Sequence, residues 1–123
     1  MKLPETVTAL KDNAFNNCPI EEINLPTGLS EIGNSSLNRA RIKNLKITEK
    51  ITNIGYGAFQ YAHIKETLEI TPAENLQLGD YAFNCQGSYT DNGQYINFHL
   101  VDVHWNSTSQ FPKNKFGQID NLY

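Results

Sequence analysis

Apolar residues return at a fixed interval along this chain, and that interval restricts the fold more than any other feature. An apolar residue followed five positions later by Phe or Leu occurs as Leu10/Phe15, Ile32/Leu37, Ile54/Phe59, Leu78/Phe83 and Phe111/Phe116. Successive pairs lie 22, 22, 24 and 33 residues apart. Further columns keep the same register: Leu3, Leu25, Ile47 and Ile70; Val7, Leu29 and Ile51; Ile20, Ile42 and Ile64; Ile23, Leu45 and Leu68. Ala14, Ala58 and Ala82 precede the Phe column, with Ser36 in the same place, and Cys18, Ala40 and Ala62 follow it as a small-residue column. A unit of ~22 residues is too short to bury its own apolar side, so repetition implies stacked coils whose like side chains cover one another.

Each unit has two parts. The first is a short run with apolar residues two apart, as in Ile23 and Leu25, Leu45 and Ile47, Leu68 and Ile70, Val103 and Trp105. Period two over so few residues predicts a short strand with one buried face. Pro4, Pro26 and Pro72 follow these runs, where they have no ladder hydrogen bond to break. The second part returns the chain. Gly33, Gly55 and Gly79 stand just after the Ile/Leu column, where a tight turn or a positive φ is expected. The Ala-Phe pair then packs inward through a short strand or a 3₁₀ or helical turn. The expected fold is a β-rich solenoid of about five coils, stacked as a right-handed curved solenoid with one parallel sheet. It forms a single domain over residues 1–123, with coils near 2–19, 20–41, 42–63, 64–86 and 96–117 and an insertion over 87–95.

The segments Leu25-Pro26-x-x-Leu29-x-x-Ile32-Gly33 and Ile51-Thr52-Asn53-Ile54-Gly55-Tyr56-Gly57-Ala58-Phe59 resemble the leucine-rich repeat of the BspA type. The first three units match that pattern closely and the fourth in part, and the last, Leu100 to Phe116, is degenerate. In the second unit Asn34-Ser35-Ser36-Leu37 replaces the usual polar-aromatic-Ala-Phe. The resemblance implies a leucine-rich repeat solenoid. It also implies a surface or secreted location, as in host-associated anaerobic bacteria and some parasitic protists, a role in adhesion, and no catalytic residues. The opening Lys2-Leu3-Pro4 falls where a strand should already be finishing, which suggests part of a longer array. The polar tail Gly117 to Tyr123 reads as a modest cap.

Charge and residue chemistry narrow the function further. A net charge of −3 with ten Lys and Arg argues against nucleic-acid binding, which needs a basic face. No apolar run approaches the ~18 residues of a membrane span, and no secretory h-region follows Met1. Cys18 and Cys85 fall three units apart, ~14 Å at the strand spacing, while a disulfide needs Cα atoms within about 7 Å. Two buried free thiols are therefore expected. His63, His99 and His104 share no metal-ligand spacing, and Asp91-Asn92-Gly93 lacks the later Glu of a calcium loop. Glu21 and Glu22 occupy adjacent strand positions on opposite faces, a poor arrangement for hydrolysis. No phosphate loop is present. The expectation is a chain with no cofactor, no metal and no enzymatic activity.

The outward positions of the strands remain. Glu22 and Asn24, Asn44 and Lys46, Thr67 and Glu69, Asp102 and His104 form a polar, mixed-charge ladder if the strands align. This is the candidate protein-binding face. Four strands of about three residues would present only ~200–250 Å², against ~800 Å² per partner in a standard interface. A second candidate is the insertion, where Asn92-Gly93 between Tyr-containing flanks signals a two-residue hairpin with Tyr89, Asp91, Asn92 and Tyr95 available for contact. The leading expectation is a non-catalytic protein-interaction or adhesion module, with a host surface or matrix protein as partner. The alternative is a structural spacer with no ligand of its own.

Overall fold

The computed structural model describes residues 2–18, 20 and 22–123. In chain order its strands are β1 (Ala9–Leu10), β2 (Glu31–Ile32), β3 (Arg41–Ile47), β4 (Asn53–Ile54), β5 (His63–Ile70), β6 (Gln77–Leu78), β7 (Gly87–Asp91), β8 (Gln94–Phe98), β9 (Leu100–Trp105) and β10 (Ile119–Leu122). A 3₁₀ turn at Lys113–Lys115 is the only helical element among the described residues. Successive coils stack as a solenoid, and the 22-residue period becomes register. Leu45, Leu68 and Val103 are partners across β3, β5 and β9, as are Ile47, Ile70 and Trp105. All of them except Trp105 are buried.

The expected parallel sheet is present, in the order β10-β9-β5-β3. Its strands are longer than the alternation suggested, because the Ile42/Ile64 column continues into the Leu45/Leu68 column within single strands. The register shifts between Ile42/Ile64 and Asn44/Thr67, since β5 carries one extra residue there. The Thr67 N–H is satisfied by Asn44 Oδ1 at 3.1 Å. A second parallel sheet, β1-β2-β4-β6, is made of two-residue strands that align Leu10, Ile32, Ile54 and Leu78. Two-residue alternation is too brief to be seen in sequence, and only stacking makes these segments strands.

The Ala-Phe part of each coil is neither strand nor helix. Its alternate N–H groups donate to the next coil, as in Phe15 to Ser36 O (2.8 Å), Leu37 to Ala58 O (2.9 Å) and Phe59 to Ala82 O (2.8 Å). Running such a ladder through consecutive turns requires left-handed residues at fixed places. Asn13, Ser35, Gly57 and Tyr81 have φ of 59°, 53°, 59° and 60°. Asn17, Arg39 and Tyr61 repeat the device four residues later, with φ of 63°, 68° and 62°. Arg and Tyr have no local preference for this region, and each costs on the order of 1 kcal/mol there. The inter-coil hydrogen bonds hold them in it.

Of the tight turn or positive φ expected at Gly33, Gly55 and Gly79, the turn is what forms: none has a positive φ, and their carbonyls accept the N–H groups of Ser36, Ala58 and Ala82 at 3.2, 3.2 and 3.3 Å. A Cβ on Gly33 would meet Asp12 N at 2.6 Å, and one on Gly55 would meet Asn34 N at 2.7 Å. Backbones of neighbouring coils come this close so that polar side chains can cap the next turn. Asp12 Oδ1 accepts the Asn34 N–H at 2.8 Å, and Asn34 Oδ1 accepts the Tyr56 N–H at 2.9 Å.

Inside, the Phe column forms a pile. Phe59 and Phe83 stack at 5.2 Å and 6°, Phe83 and Phe116 at 4.9 Å and 14°. A parallel bridge between Phe83 and Phe116 carries the stack into the degenerate last coil. The tail expected as a modest cap forms β10, which pairs in parallel with β9.

Both cysteines are free, but only Cys85 is buried; Cys18 is exposed. Its column-mates Ala40 and Ala62 are covered by coils on both sides, whereas no described coil lies outside that of Cys18. Burial pushes the Cys85 thiol far above its ordinary pKa, and its Sγ donates to Phe59 O at 3.3 Å. A thiol-reactive dye added to native protein should therefore label Cys18 rapidly, with Cys85 following only at the rate of unfolding. Mass spectrometry of the labelled peptides will give the order, and fast double labelling would contradict the buried placement.

Candidate binding face and adjoining cleft

The outward ladder forms across three strands. Asn44, Thr67 and Asp102 are register partners, and so are Lys46, Glu69 and His104. Their backbones are fixed by the buried Leu45, Leu68 and Val103 between them, so the polar side chains must all leave from one side. The side chains are also tied to one another. Lys46 Nζ lies 4.0 Å from Glu69 Oε2, Asn106 Nδ2 donates to Glu69 Oε2 at 3.2 Å, and Asn121 Nδ2 donates to Asp102 Oδ1 at 3.0 Å. The His104 ring stacks on Tyr123 at 4.6 Å. Exposed pairs of this kind contribute little to stability.

Among the described pairings, none brings Glu22 or Asn24 into this ladder. Asn24 bridges Lys2 of the preceding coil, and β3 is the last strand of its sheet. A groove of about 190 Å³ lined by Glu22, Ile23 and Asn24 on one side and Ile42, Lys43 and Asn44 on the other separates them. The Arg41 N–H still donates to Ile20 O at 2.7 Å, so the coils part just beyond that bond. The candidate face is thus the six residues from Asn44 to His104. The four strands of the sheet hold 25 residues, worth roughly 400 Å² at ~3.3 Å rise and ~4.8 Å spacing.

The insertion is a hairpin. β7 and β8 pair antiparallel with Asp91 opposite Gln94, and the loop residues Asn92 and Gly93 have φ of 51° and 76°, as a type I′ turn requires. Its tip, with Asp91, Asn92 and Tyr95, is exposed. Tyr89 is not free for contact as the sequence suggested. The hairpin folds back onto the start of the main sheet, where Tyr89 Oη lies 2.8 Å from His63 Nδ1 and its ring lies under the Arg41 guanidinium at 4.0 Å. Phe98 anchors the same end by stacking on His63 at 4.6 Å.

This fold-back encloses a cleft of about 240 Å³ that sequence reasoning missed. Its walls include Arg39, Arg41, Tyr61, His63, Ser88 and Tyr89. Arg39 and Tyr61 belong to one column of the repeat, Arg41 and His63 to another, each pair 22 residues apart on either side of the small-residue column. That spacing was the available signal. The Arg39 guanidinium lies over the Tyr61 ring at 5.1 Å. Loss of solvent, then the charges of Lys65 and Arg41, hold the His63 imidazole below its ordinary pKa. No group of three His, Cys, Asp or Glu side chains suited to a metal occurs among the described residues, and no helix is long and apolar enough to cross a membrane.

A family model described as BspA type leucine rich repeat region (6 copies) matches residues 1–91. The match runs through the first four coils and ends at the tip of the hairpin. No curated protein and no solved structure matches the chain.

Proposed function

Because the chain belongs to the BspA type leucine-rich repeat family, we propose that it is a non-catalytic protein-interaction or adhesion module of a surface or secreted protein. The observation that supports this most directly is the shared register of Asn44, Thr67 and Asp102 and of Lys46, Glu69 and His104, which gathers polar groups on one solvent-facing sheet. Stacking uses the inner side of these strands and leaves the outer side to a partner. At roughly 400 Å² the sheet is about half a standard contact, so binding by one copy is weak and gains from the hairpin or from many copies.

The test is binding to immobilised host matrix proteins, measured for the natural chain and for a variant with Lys46, Glu69 and His104 changed to Ala. About tenfold weaker binding by a variant that melts normally is the expected result. A spacer with no ligand of its own would bind nothing in either form. Equal binding by both forms would clear the ladder of any role.

A further inference from the structure

We propose that the Arg39/Arg41 cleft receives a carboxylate side chain from an extended acidic segment of the protein partner, laid along the outer face of the main sheet. This deepens the protein-binding reading and rests on it. Arg39 and Arg41 are the only arginines in the chain, and both line one cleft. Among the described residues neither has a carboxylate within ion-pair distance, although Lys11, Lys43, Lys46 and Lys115 are all paired. In a chain of net charge −3, two guanidinium groups with no carboxylate partner among the described residues, together with Lys65, form a local positive field against the overall sign.

The geometry suits an oxyanion. Tyr61 supports one guanidinium and Tyr89 the other, which limits their rotation and leaves their N–H edges for a planar, bidentate acceptor. Asn17 and Ser88 add neutral hydrogen-bonding groups, and among the described residues no acidic side chain lines the wall. The aromatic rings are already used: Tyr61 and Tyr89 by the arginines, Phe98 by burial against His63. One face of Tyr61 and one of Tyr89 are already taken by an arginine, which weakens the stacking a sugar would need, so a peptide carboxylate is favoured over an acidic glycan.

The cleft also continues the candidate face. Arg41 and His63 open β3 and β5, and the polar ladder begins at Asn44 and Thr67 on the same strands. A segment in extended form would run ~23–26 Å along these strands and place one acidic side chain at their start.

The probes are a fluorescent peptide of alternating Glu and Thr, its Gln/Thr counterpart, and an acidic oligosaccharide, each titrated at low and at physiological salt by anisotropy. The Glu/Thr peptide should bind at least about tenfold tighter than the Gln/Thr peptide, with the difference shrinking in salt. Arg39→Gln/Arg41→Gln should erase that preference. Lys50→Gln/Lys113→Gln, which removes equal charge elsewhere, should keep it. Unfolding curves will establish that the arginine variant is folded, and Arg41→Lys supplies a charge-retaining form that should recover only part of the preference. No preference in the natural chain, an equal loss in the lysine variant, or tight binding of the oligosaccharide alone would overturn the proposal. The two readings separate cleanly. Peptide binding lost in the arginine variant while the ladder variant binds matrix protein normally would sink the face and keep the cleft, and the reverse pattern would do the opposite.

Discussion

Phe59→Ala should lower stability by about 3–5 kcal/mol, among the largest losses expected from a single truncation in this chain. Phe59 has no exposed surface, and its ring lies in the pile between the Leu37 position and Phe83. Coils above and below are fixed by three hydrogen-bonded ladders, so they cannot close on the void left by the ring. Part of the cost is therefore an unfilled cavity rather than lost transfer energy alone. For a domain whose total stability is on the order of 5–15 kcal/mol, such a loss moves the unfolding midpoint far down. Phe15 occupies the same column but is only half-buried, because no described coil covers its outer side. Phe15→Ala should cost about 1–2 kcal/mol. Urea unfolding of both variants checks the order, and equal losses would contradict the stacking direction.

Gly55→Ala comes second, with an expected cost of about 1–3 kcal/mol from a single added methyl. The new Cβ would press on Asn34 Oδ1 and lie 2.7 Å from Asn34 N and 2.9 Å from Gly33 C. Two of these three atoms are backbone, so relief requires adjacent coils to separate. Separation would lengthen the Asn34 Oδ1 bond to the Tyr56 N–H and the Gly55 N–H bond to Ile32 O, now 2.9 Å and 2.8 Å. Gly28→Ala is the control. A Cβ there meets nothing within 4 Å, and Gly28 lacks a positive φ. It should be neutral or stabilise by a few tenths of a kcal/mol, because the unfolded chain loses freedom. Thermal melts that fail to separate the two glycines would show that close approach is not the reason for the column.

The bulge in β5 and the two-residue β-ladder show how local reading reaches its limit. The steps of 22 and 23 between Leu45, Leu68 and their neighbours disclosed that one unit holds an extra residue, but not where it would be absorbed. Structure places it between Ile64 and Thr67, where Asn44 can reach over and satisfy the displaced N–H. The left-handed Arg39 and Tyr61 lie against their own propensities. Neither side chain signals that conformation, because the stacked neighbours dictate it.

From its residue order alone, the chain determined the coil length, the inward columns and the hairpin turn at Asn92-Gly93. Each of these depends on periodicity or on local backbone preference, which neighbouring letters record directly. Only tertiary structure decided that β3 is the last described strand of its sheet, that Cys18 is exposed while Cys85 is sealed, and that Tyr89 turns inward. The same holds for the cleft. Arg39, Arg41, Tyr61 and His63 become neighbours through the stacking period, but Tyr89 and Phe98 reach them only because the hairpin folds back rather than projecting. The direction in which an insertion leaves a solenoid depends on side-chain contacts with coils far away in sequence, and no local pattern encodes it.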